Sequence, residues 1–253
     1  MSGTDASGAA TLARLELERL LDAEPALRDL LPPGFADAAE AHVRLLLEAN
    51  ARVNLTRVVE PAEVARFHLL DALAALPLLD ASGAAQAIDL GSGGGVPAIP
   101  LALARPDVAW ILVDSIGKKA VLLEGFVAEL GLPNVRVSAA RAEDLGRDRR
   151  HRERYDVATA RACAALPVLV ELALPLVRVE GQLLAWKGPM AEGDEELQRG
   201  RVAAGQVGGG RIEVRSTGLA ALGNHTFVTV PKRAPTPQRF PRRPGEPGRR
   251  PLG

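Results

Sequence analysis

The 253-residue sequence has a single cysteine, Cys163, and aromatic residues make up only 3% of it. One cysteine excludes an internal disulfide framework and a structural zinc site built on several thiolates. The scarcity of aromatic side chains argues against a surface that binds single-stranded nucleic acid mainly by stacking. The fold must therefore rest on an ordinary hydrophobic core, which the 47% of hydrophobic residues can supply.

Targeting and membrane segments are also missing from the sequence. The first 20 residues contain no basic region followed by an apolar core, so no signal peptide is expected. No apolar run reaches the length of a membrane span without a charge or a proline. We therefore expect a soluble, cytoplasmic protein that has no membrane partner.

Net charge of either sign is absent, because 31 Lys and Arg residues balance 31 Asp and Glu residues. This balance excludes a uniformly basic nucleic-acid coat, although it hides a marked asymmetry. Residues 1–100 carry a net charge of −7, whereas residues 231–253 carry +6 and seven of the 19 prolines. Proline density of this kind is incompatible with a helix or a central strand, so we expect an extended basic tail.

Helical periodicity dominates roughly the first 80 residues. Leucines recur at near-helical spacing over 12–31, and two prolines then end that element. Amphipathic patterns predict further helices over 35–50 and from Pro61 to Leu73. The first ten residues are small and polar, and we expect them to be frayed.

Beyond residue 80 the pattern changes to short apolar runs separated by helical segments. Strands are predicted over 87–90, 110–113, 135–139, 156–160 and 182–186, helices over 99–104, 118–130 and 166–177, and an edge hairpin over 212–215 and 226–230. Such alternation predicts parallel βαβ units, and hence an α/β fold with a doubly wound, mostly parallel sheet. The sequence thus divides into an N-terminal helical extension (1–80), a Rossmann-like domain (81–230) and a basic, proline-rich C-terminal tail (231–253).

A glycine-rich turn, AIDLGSGGGVPAIP at 87–100, gives the strongest chemical signal. It follows a buried strand and precedes a helix, which places it at the ligand-binding edge of an open α/β sheet. A dinucleotide fingerprint requires a third glycine where this sequence has Val96. The carboxylate of Asp89 lies two residues before Gly91 and suits an ammonium group better than a pyrophosphate. S-adenosylmethionine carries such an ammonium group, so the turn favours it over NAD.

Two further acidic positions follow the next two strands. Asp114 ends the second strand, where a carboxylate can accept hydrogen bonds from two ribose hydroxyls. The segment 141–144 follows the third strand and includes Glu143, near the position of an adenine ring. The competing interpretation is that Asp89 and Asp114 are only helix caps or solvated strand ends.

Several motifs, in this order and spacing, resemble one known family. They are NARVNLT (50–56), RFHLLDAL (66–73), DLGSGGGVPAIPLA (89–102), DSIGKKAVLLEG (114–125), RAEDL (141–145), ARACA (160–164), LLAWKGP (183–189) and the closing PTPQRFPRRPGEPGRRPL. The set resembles the guanine-N7 methyltransferases of 16S ribosomal RNA, also called glucose-inhibited division protein B. The sequence departs from the family pattern at Ala72, Val96 and Ala98.

The resemblance implies a Rossmann-like class I methyltransferase that uses S-adenosylmethionine to methylate N7 of a guanine in small-subunit ribosomal RNA. The substrate is either the free RNA or the assembled subunit. The implied cofactor contacts, together with those read from the turn itself, are Asp89, Gly91, Gly93, Val96, Asp114, Ser115, Ile116, Ala142, Glu143 and Arg161. Of these, Arg161 depends on the resemblance alone. Guanine N7 carries a lone pair and no proton, so we expect no catalytic side chain, no metal and no need for an oligomer.

Basic residues on the ligand face and in the tail are the candidate RNA contacts. They are Lys118, Lys119, Lys187, Lys232, Arg239, Arg242 and Arg243. Lys118 and Lys119 are equally consistent with a solvated first turn of a helix that contacts no RNA. His68 and Asp71 are equally consistent with an RNA contact and with a local polar pair. The tail is either a phosphate clamp, a solvated segment, or a strap anchored by Phe240 and Leu252. Cys163 is expected to be a small buried hydrophobe.

Three other functions remain open from the sequence. The protein could be an S-adenosylmethionine-dependent methyltransferase for another RNA position or a small molecule. It could also be a catalytically silent RNA-binding factor in ribosome assembly that retains the fold. A nicotinamide oxidoreductase is disfavoured by Asp89 and Val96.

Overall fold

The N-terminal part is a helical layer in the computed structural model, which describes residues 3–253. It begins with α1 (Gly3–Asp22), α2 (Pro25–Arg28) and α3 (Phe35–Asn50). The helix predicted over 12–31 is therefore split, because Pro25 starts a separate turn after α1. The prediction that residues 1–10 are frayed is wrong for the described part, since Ala6, Ala9 and Ala10 are buried in α1; residues 1–2 lie outside the described residues.

A π-helical turn interrupts the next helical stretch. It runs from Ala65 to Leu70, between α4 (Pro61–Val64) and α5 (Asp71–Leu73), and α6 (Leu76–Ala81) follows. π-helical turns are rare and occur frequently at functional sites, because they turn side chains away from the regular helical face. Phe67 and His68 both lie in this turn.

A seven-stranded sheet with the order β3-β2-β1-β4-β5-β7-β6 forms the centre of the molecule. Its strands are β1 (Gln86–Leu90), β2 (Ala109–Val113), β3 (Val135–Ser138), β4 (Tyr155–Arg161), β5 (Val177–Lys187), β6 (Glu213–Ser216) and β7 (Thr226–Pro231). The first five pair in parallel, whereas β7 is antiparallel to both β5 and β6. The predicted α/β fold, with its doubly wound sheet and edge hairpin, is confirmed.

Helices connect the strands and cover both faces of the sheet. They are α7 (Ala98–Ala104), α8 (Gly117–Glu129), α9 (Ala142–Leu145), α10 (Leu166–Ala173) and α11 (Glu195–Gln206). The predicted third of these connecting helices ends four residues early, because Pro175 precedes the start of β5. Helix α11 is not predicted from the sequence, because its glycines and charges obscure its buried face of Leu197, Ala203 and Ala204.

The strand order reverses beside β1, whose neighbours are β2 and β4. Ligands of open α/β sheets bind in the crevice at such a reversal, outside the carboxyl ends of the strands. Leu90, Val113, Ser138 and Arg161 end the first four strands at this one edge. The fold therefore collects the glycine turn and the acidic positions at a single crevice.

The C-terminal tail packs on the body rather than extending from it, as the alternative of a strap anchored by Phe240 and Leu252 predicts. Phe240 is buried, and a one-turn helix, α12 (Glu246–Arg249), forms within the tail. The guanidinium of Arg152 donates to the carbonyls of Gly146, Thr236 and Phe240, at 2.8, 2.6 and 2.8 Å. One half-buried arginine thus satisfies backbone carbonyls of a segment that forms few hydrogen bonds of its own.

Candidate functional site

The glycine turn after β1 brings the backbone very close to the segment after β4. Gly91 has a φ of +71°, and a Cβ at this position would lie 3.0 Å from the Cβ of Cys163. Only glycine combines this backbone conformation with this approach. Ser92 fixes the turn, since its Oγ donates to the carbonyl of Asp89 and accepts from the amide of Val113, both at 3.1 Å.

Asp89 presents a buried carboxylate oxygen without a partner. The hydroxyl of Thr159 donates to its Oδ1 at 2.6 Å, but Oδ2 has no hydrogen bond among the described residues. Burial raises the pKa of this carboxyl to about 6. An unsatisfied buried acceptor is uncommon in native proteins and indicates a missing group. A ligand ammonium would satisfy Oδ2, so the donor set fits the methionine end of S-adenosylmethionine.

Asp114 holds the glycine turn and the next turn together. Its Oδ2 accepts from the amide of Gly93 at 3.0 Å, and its Oδ1 accepts from the amide of Ile116 at 2.9 Å. Each carboxylate oxygen retains acceptor capacity for a hydroxyl group. Ser115 and Ile116 lie beside it and are exposed, and half of the Ile116 side chain is open to solvent. An apolar surface next to a carboxylate fits a ligand that carries a ribose and a purine.

Ala142 and Glu143 begin the short helix α9 after β3, as the motif RAEDL predicts. Glu143 is buried, and its Oε1 accepts from the amide of Gly245 in the tail at 2.8 Å. The side chain expected near an adenine ring thus also anchors the tail. Tail packing and the geometry of this turn are coupled through one hydrogen bond.

A second group of polar residues surrounds Arg161 at the end of β4. Its guanidinium donates to the carbonyl of Phe67 and, at 3.2 Å, to Nδ1 of His68. The carboxylate of Asp71 lies 3.6 Å from the guanidinium and accepts from Nδ1 of His225 at 3.2 Å. Burial raises the pKa of Asp71 and lowers the pKa of Arg161. The π-helical turn presents His68 and the carbonyl of Phe67 to this arginine, and Asp71 follows directly as the first residue of α5.

The glycine turn and the group around Arg161 both line one cavity of about 610 Å³, whereas Asp89, Asp114 and Glu143 are not among its lining residues. Its lining includes residues predicted to bind the cofactor or RNA, namely Gly91, Gly93, Val96, Lys119, Arg161 and Lys187. It also includes residues from other parts of the sequence, namely Leu55, Thr56, Phe67, Trp186 and His225. The size is typical of small-molecule sites. Thr56 and His225 are not predicted as site residues, because neither lies at the carboxyl end of a parallel strand.

Cys163 lies exposed in the cavity wall, so the expectation of a buried hydrophobe is wrong. The preceding residue, Ala162, has a φ of +52°, an uncommon conformation that concentrates at functional sites. Although Cys163 is open to the cavity, desolvation by the surrounding protein atoms raises the pKa of its thiol to about 11, and the Asp89 carboxylate adds to the rise. Thiolates, not thiols, are nucleophiles, so this cysteine does not supply one at neutral pH.

The lysines predicted to contact RNA have different surroundings. Lys118 and Lys119 lie in the first turn of α8, and Lys119 also lines the cavity. Lys187 lines it as well, but its ammonium donates to Glu196 at 2.6 Å and to the carbonyl of Ala164 at 3.1 Å. Lys232 is wholly buried, and its ammonium donates to Leu174 and Thr236 and lies 3.2 Å from Glu153. The prediction that Lys232 contacts phosphate is therefore wrong.

The arginines of the tail divide in the same way. Arg242 pairs with the fully buried carboxylate of Glu171 through two guanidinium nitrogens, with its closest contact at 2.5 Å. This fork explains why Arg242 is largely withdrawn from solvent. Arg239 and Arg243 are exposed, and the guanidinium of Arg239 lies over the ring of Phe240.

Residues 3–253 contain no group of three or more His, Cys, Asp or Glu side chains placed to hold a metal ion. Among the described helices, none combines the length and the apolar character that crossing a membrane requires.

Known proteins share both the sequence and the fold. Residues 36–213 match the profile of the family described as rRNA small subunit methyltransferase G. The ribosomal RNA small subunit methyltransferase G of Deinococcus radiodurans is 44% identical over 90% of this chain and 94% of its own. That of Roseiflexus castenholzii is 45% identical, over 80% and 86%. The fold resembles the S-adenosylmethionine-dependent methyltransferase SibL, with a TM-score of 0.54 and 15% identity over 79% of this chain and 76% of that one. The chain belongs to the rRNA small subunit methyltransferase G family.

Proposed function

We propose that this protein transfers the methyl group of S-adenosylmethionine to N7 of a guanine in 16S ribosomal RNA. The observation that carries the proposal is the buried, unpartnered Oδ2 of Asp89 beside a glycine turn. The same turn lines a cavity whose wall also includes Arg161 and its neighbours. Family membership supports the choice of RNA, because the relatives are named for small-subunit ribosomal RNA.

The cofactor-binding residues follow the carboxyl ends of the first four strands. Asp89 and the glycine turn would hold the methionine end, Asp114 the ribose, and Ile116, Ala142 and Glu143 the adenine. Val96 and Arg161 line the cavity in which donor and acceptor meet. When bound, S-adenosylmethionine supplies a methyl group already activated by its sulfonium.

The remaining task of the protein is to align the acceptor with that methyl group. Guanine N7 has an in-plane lone pair and no proton to remove, so no general base is needed. The cavity contains no free thiolate, because the pKa of Cys163 is raised. Positioning and exclusion of water are therefore the contributions we assign to the cavity walls.

The substrate presents its phosphates to basic residues of α8 and of the tail. Lys118, Lys119, Arg239 and Arg243 are the proposed phosphate contacts, and Lys187, which lines the cavity, is the proposed neighbour of the target base. Guanine N7 is inaccessible in a regular RNA helix, so the target lies in a loop or an opened groove, within either free RNA or the assembled subunit. Residues of one chain build the whole site, so the proposal requires no oligomer, and it places the activity in the cytoplasm.

The proposal is tested with purified protein, S-adenosylmethionine labelled in its methyl group, and small-subunit RNA or reconstituted subunits. Nucleoside analysis of the RNA should find label in 7-methylguanosine. Binding of the cofactor and RNA without turnover would instead indicate an assembly factor. Label in a different nucleoside would mean that the methyltransferase acts on another RNA position.

A further inference from the structure

Thr56 lies on the wall of the cavity in a loop that α3 holds in place. The side-chain oxygen of Asn50, the last residue of α3, accepts from the amides of Leu55 and Thr56 at 2.8 and 3.0 Å. These two hydrogen bonds fix the backbone position from which the Thr56 side chain projects. Its position is therefore set by the fold rather than by a ligand.

The ring of His68 carries its proton on a nitrogen that the structure defines. Arginine can only donate, so Nδ1 of His68 accepts from Arg161 at 3.2 Å. Burial, with the charge of Arg161 adding to it, lowers the pKa of His68 to about 4, and the ring is neutral at pH 7. A neutral ring that accepts at Nδ1 has its single proton on Nε2.

This tautomer determines the role of the Thr56 hydroxyl. Nε2 of His68 donates to Oγ1 of Thr56 at 2.9 Å, and the amide of Val58 donates to the same oxygen at 3.0 Å. A hydroxyl oxygen has two lone pairs, and both are now used. The hydroxyl proton has no acceptor among the described residues, although Thr56 is partly exposed in the cavity. The chain from Arg161 to Thr56 thus makes the hydroxyl a donor toward the cavity.

We infer that the Thr56 hydroxyl donates a hydrogen bond to O6 of the target guanine and selects guanine against adenine. On the base edge that includes N7, guanine presents an acceptor at position 6, whereas adenine presents an amino donor. A hydroxyl restricted to donation accommodates the first and leaves the second unpaired. The inference rests on the proposed function and adds a specificity-determining residue to it.

The test uses small-subunit RNA, assembled into subunits if transfer requires it, with guanosine or 2-aminopurine riboside at the methylated position. The 2-aminopurine base keeps N7 and lacks O6. Single-turnover methyl transfer is measured for the wild type, for Thr56→Val, which removes the donor, and for Thr56→Ser, which keeps it. Calorimetric binding of S-adenosylmethionine and the melting temperature check that each variant is folded.

The wild type and Thr56→Ser should methylate guanosine about tenfold faster than 2-aminopurine, the size expected for one hydrogen bond. Thr56→Val should be slower on guanosine by the same factor and unchanged on 2-aminopurine. A preference for guanosine over 2-aminopurine that is unchanged in Thr56→Val would overturn the inference. Equal rates on the two bases in the wild type would also overturn it, and that measurement requires no variant. Absence of transfer to guanosine by the wild type would instead refute the proposed function.

Discussion

At the scale of single residues, Asp89 makes the sharpest prediction. Its unpartnered Oδ2 should pair with the ligand ammonium, so Asp89→Asn should weaken S-adenosylmethionine binding by roughly 1.5–3 kcal/mol, as for a charge-assisted hydrogen bond. Calorimetric titration measures this. The matched control is Asp156→Asn, which changes a carboxylate at the opposite end of the sheet and should leave cofactor affinity unaltered. Equal losses in the two variants would contradict the assignment.

The same carboxyl predicts a pH dependence of cofactor binding. Burial raises its pKa from 3.8 to about 6, with Arg161 and Asp114 the charged groups that also act on it. A proton should therefore occupy the carboxylate below pH 6 and compete with the ammonium. Affinity should fall about tenfold between pH 7 and pH 5 in the wild type and stay nearly level in Asp89→Asn. Parallel slopes in the two proteins would assign the pH dependence to another group.

Stability of the ligand-free protein should move in the opposite direction. The folded-state pKa of Asp89 exceeds the unfolded value of 3.8, so the folded protein binds the proton more tightly. This carboxyl therefore destabilises the fold progressively as the pH rises from 4 to 6. Asp89→Asn should raise the melting temperature at pH 7 and change it little at pH 4. A lower melting temperature at pH 7 would show that the charge is stabilised by a partner.

At the scale of elements, the tail behaves as a strap whose main ionic anchor is buried. Arg242→Ala would leave the buried carboxylate of Glu171 without a counter-charge, although the amide of residue 242 would still donate to it, and we expect a loss of about 3–5 kcal/mol in the free energy of unfolding. Arg233 provides the control, because it pairs with Glu180 on the exposed surface of the same tail. Arg233→Ala should cost less than about 1 kcal/mol in urea unfolding. Similar costs for the two substitutions would indicate that the tail does not pack as described.

Substitutions of exposed and of buried basic residues in the tail should affect RNA binding differently. Replacing Arg239 and Arg243 by alanine should weaken RNA binding and flatten its dependence on salt, by a slope of about 0.7–0.9 for each lost phosphate contact. Lys232→Met should lower stability but leave the salt slope unchanged, since its ammonium is enclosed. Filter binding over a salt series distinguishes the two. A flattened slope in Lys232→Met would restore the original prediction for this lysine.

At the scale of the whole molecule, the half of the site that follows parallel strands is readable from the sequence. Strand-end positions such as Asp89 and Asp114 are predictable because parallel strands must end at one edge. The opposite half is not, since Thr56, Phe67 and His225 come together only through a π-helical turn and the packing of distant loops. The packing of the tail on the body is hard to predict for a similar reason. Its prolines and charges indicate an extended segment, whereas Arg152 and Glu171 supply partners that only the fold reveals.

The central claim is that the cavity positions a guanine of small-subunit RNA for methylation at N7. The most direct test maps 7-methylguanine in that RNA, by chemical cleavage and primer extension, in cells with the protein, without it, and with Asp89→Asn in its place. At one guanine, N7 methylation should be complete in cells with the wild-type protein, absent in cells without it, and reduced in cells with the variant. Persistence of every 7-methylguanine in cells that lack the protein would contradict the account.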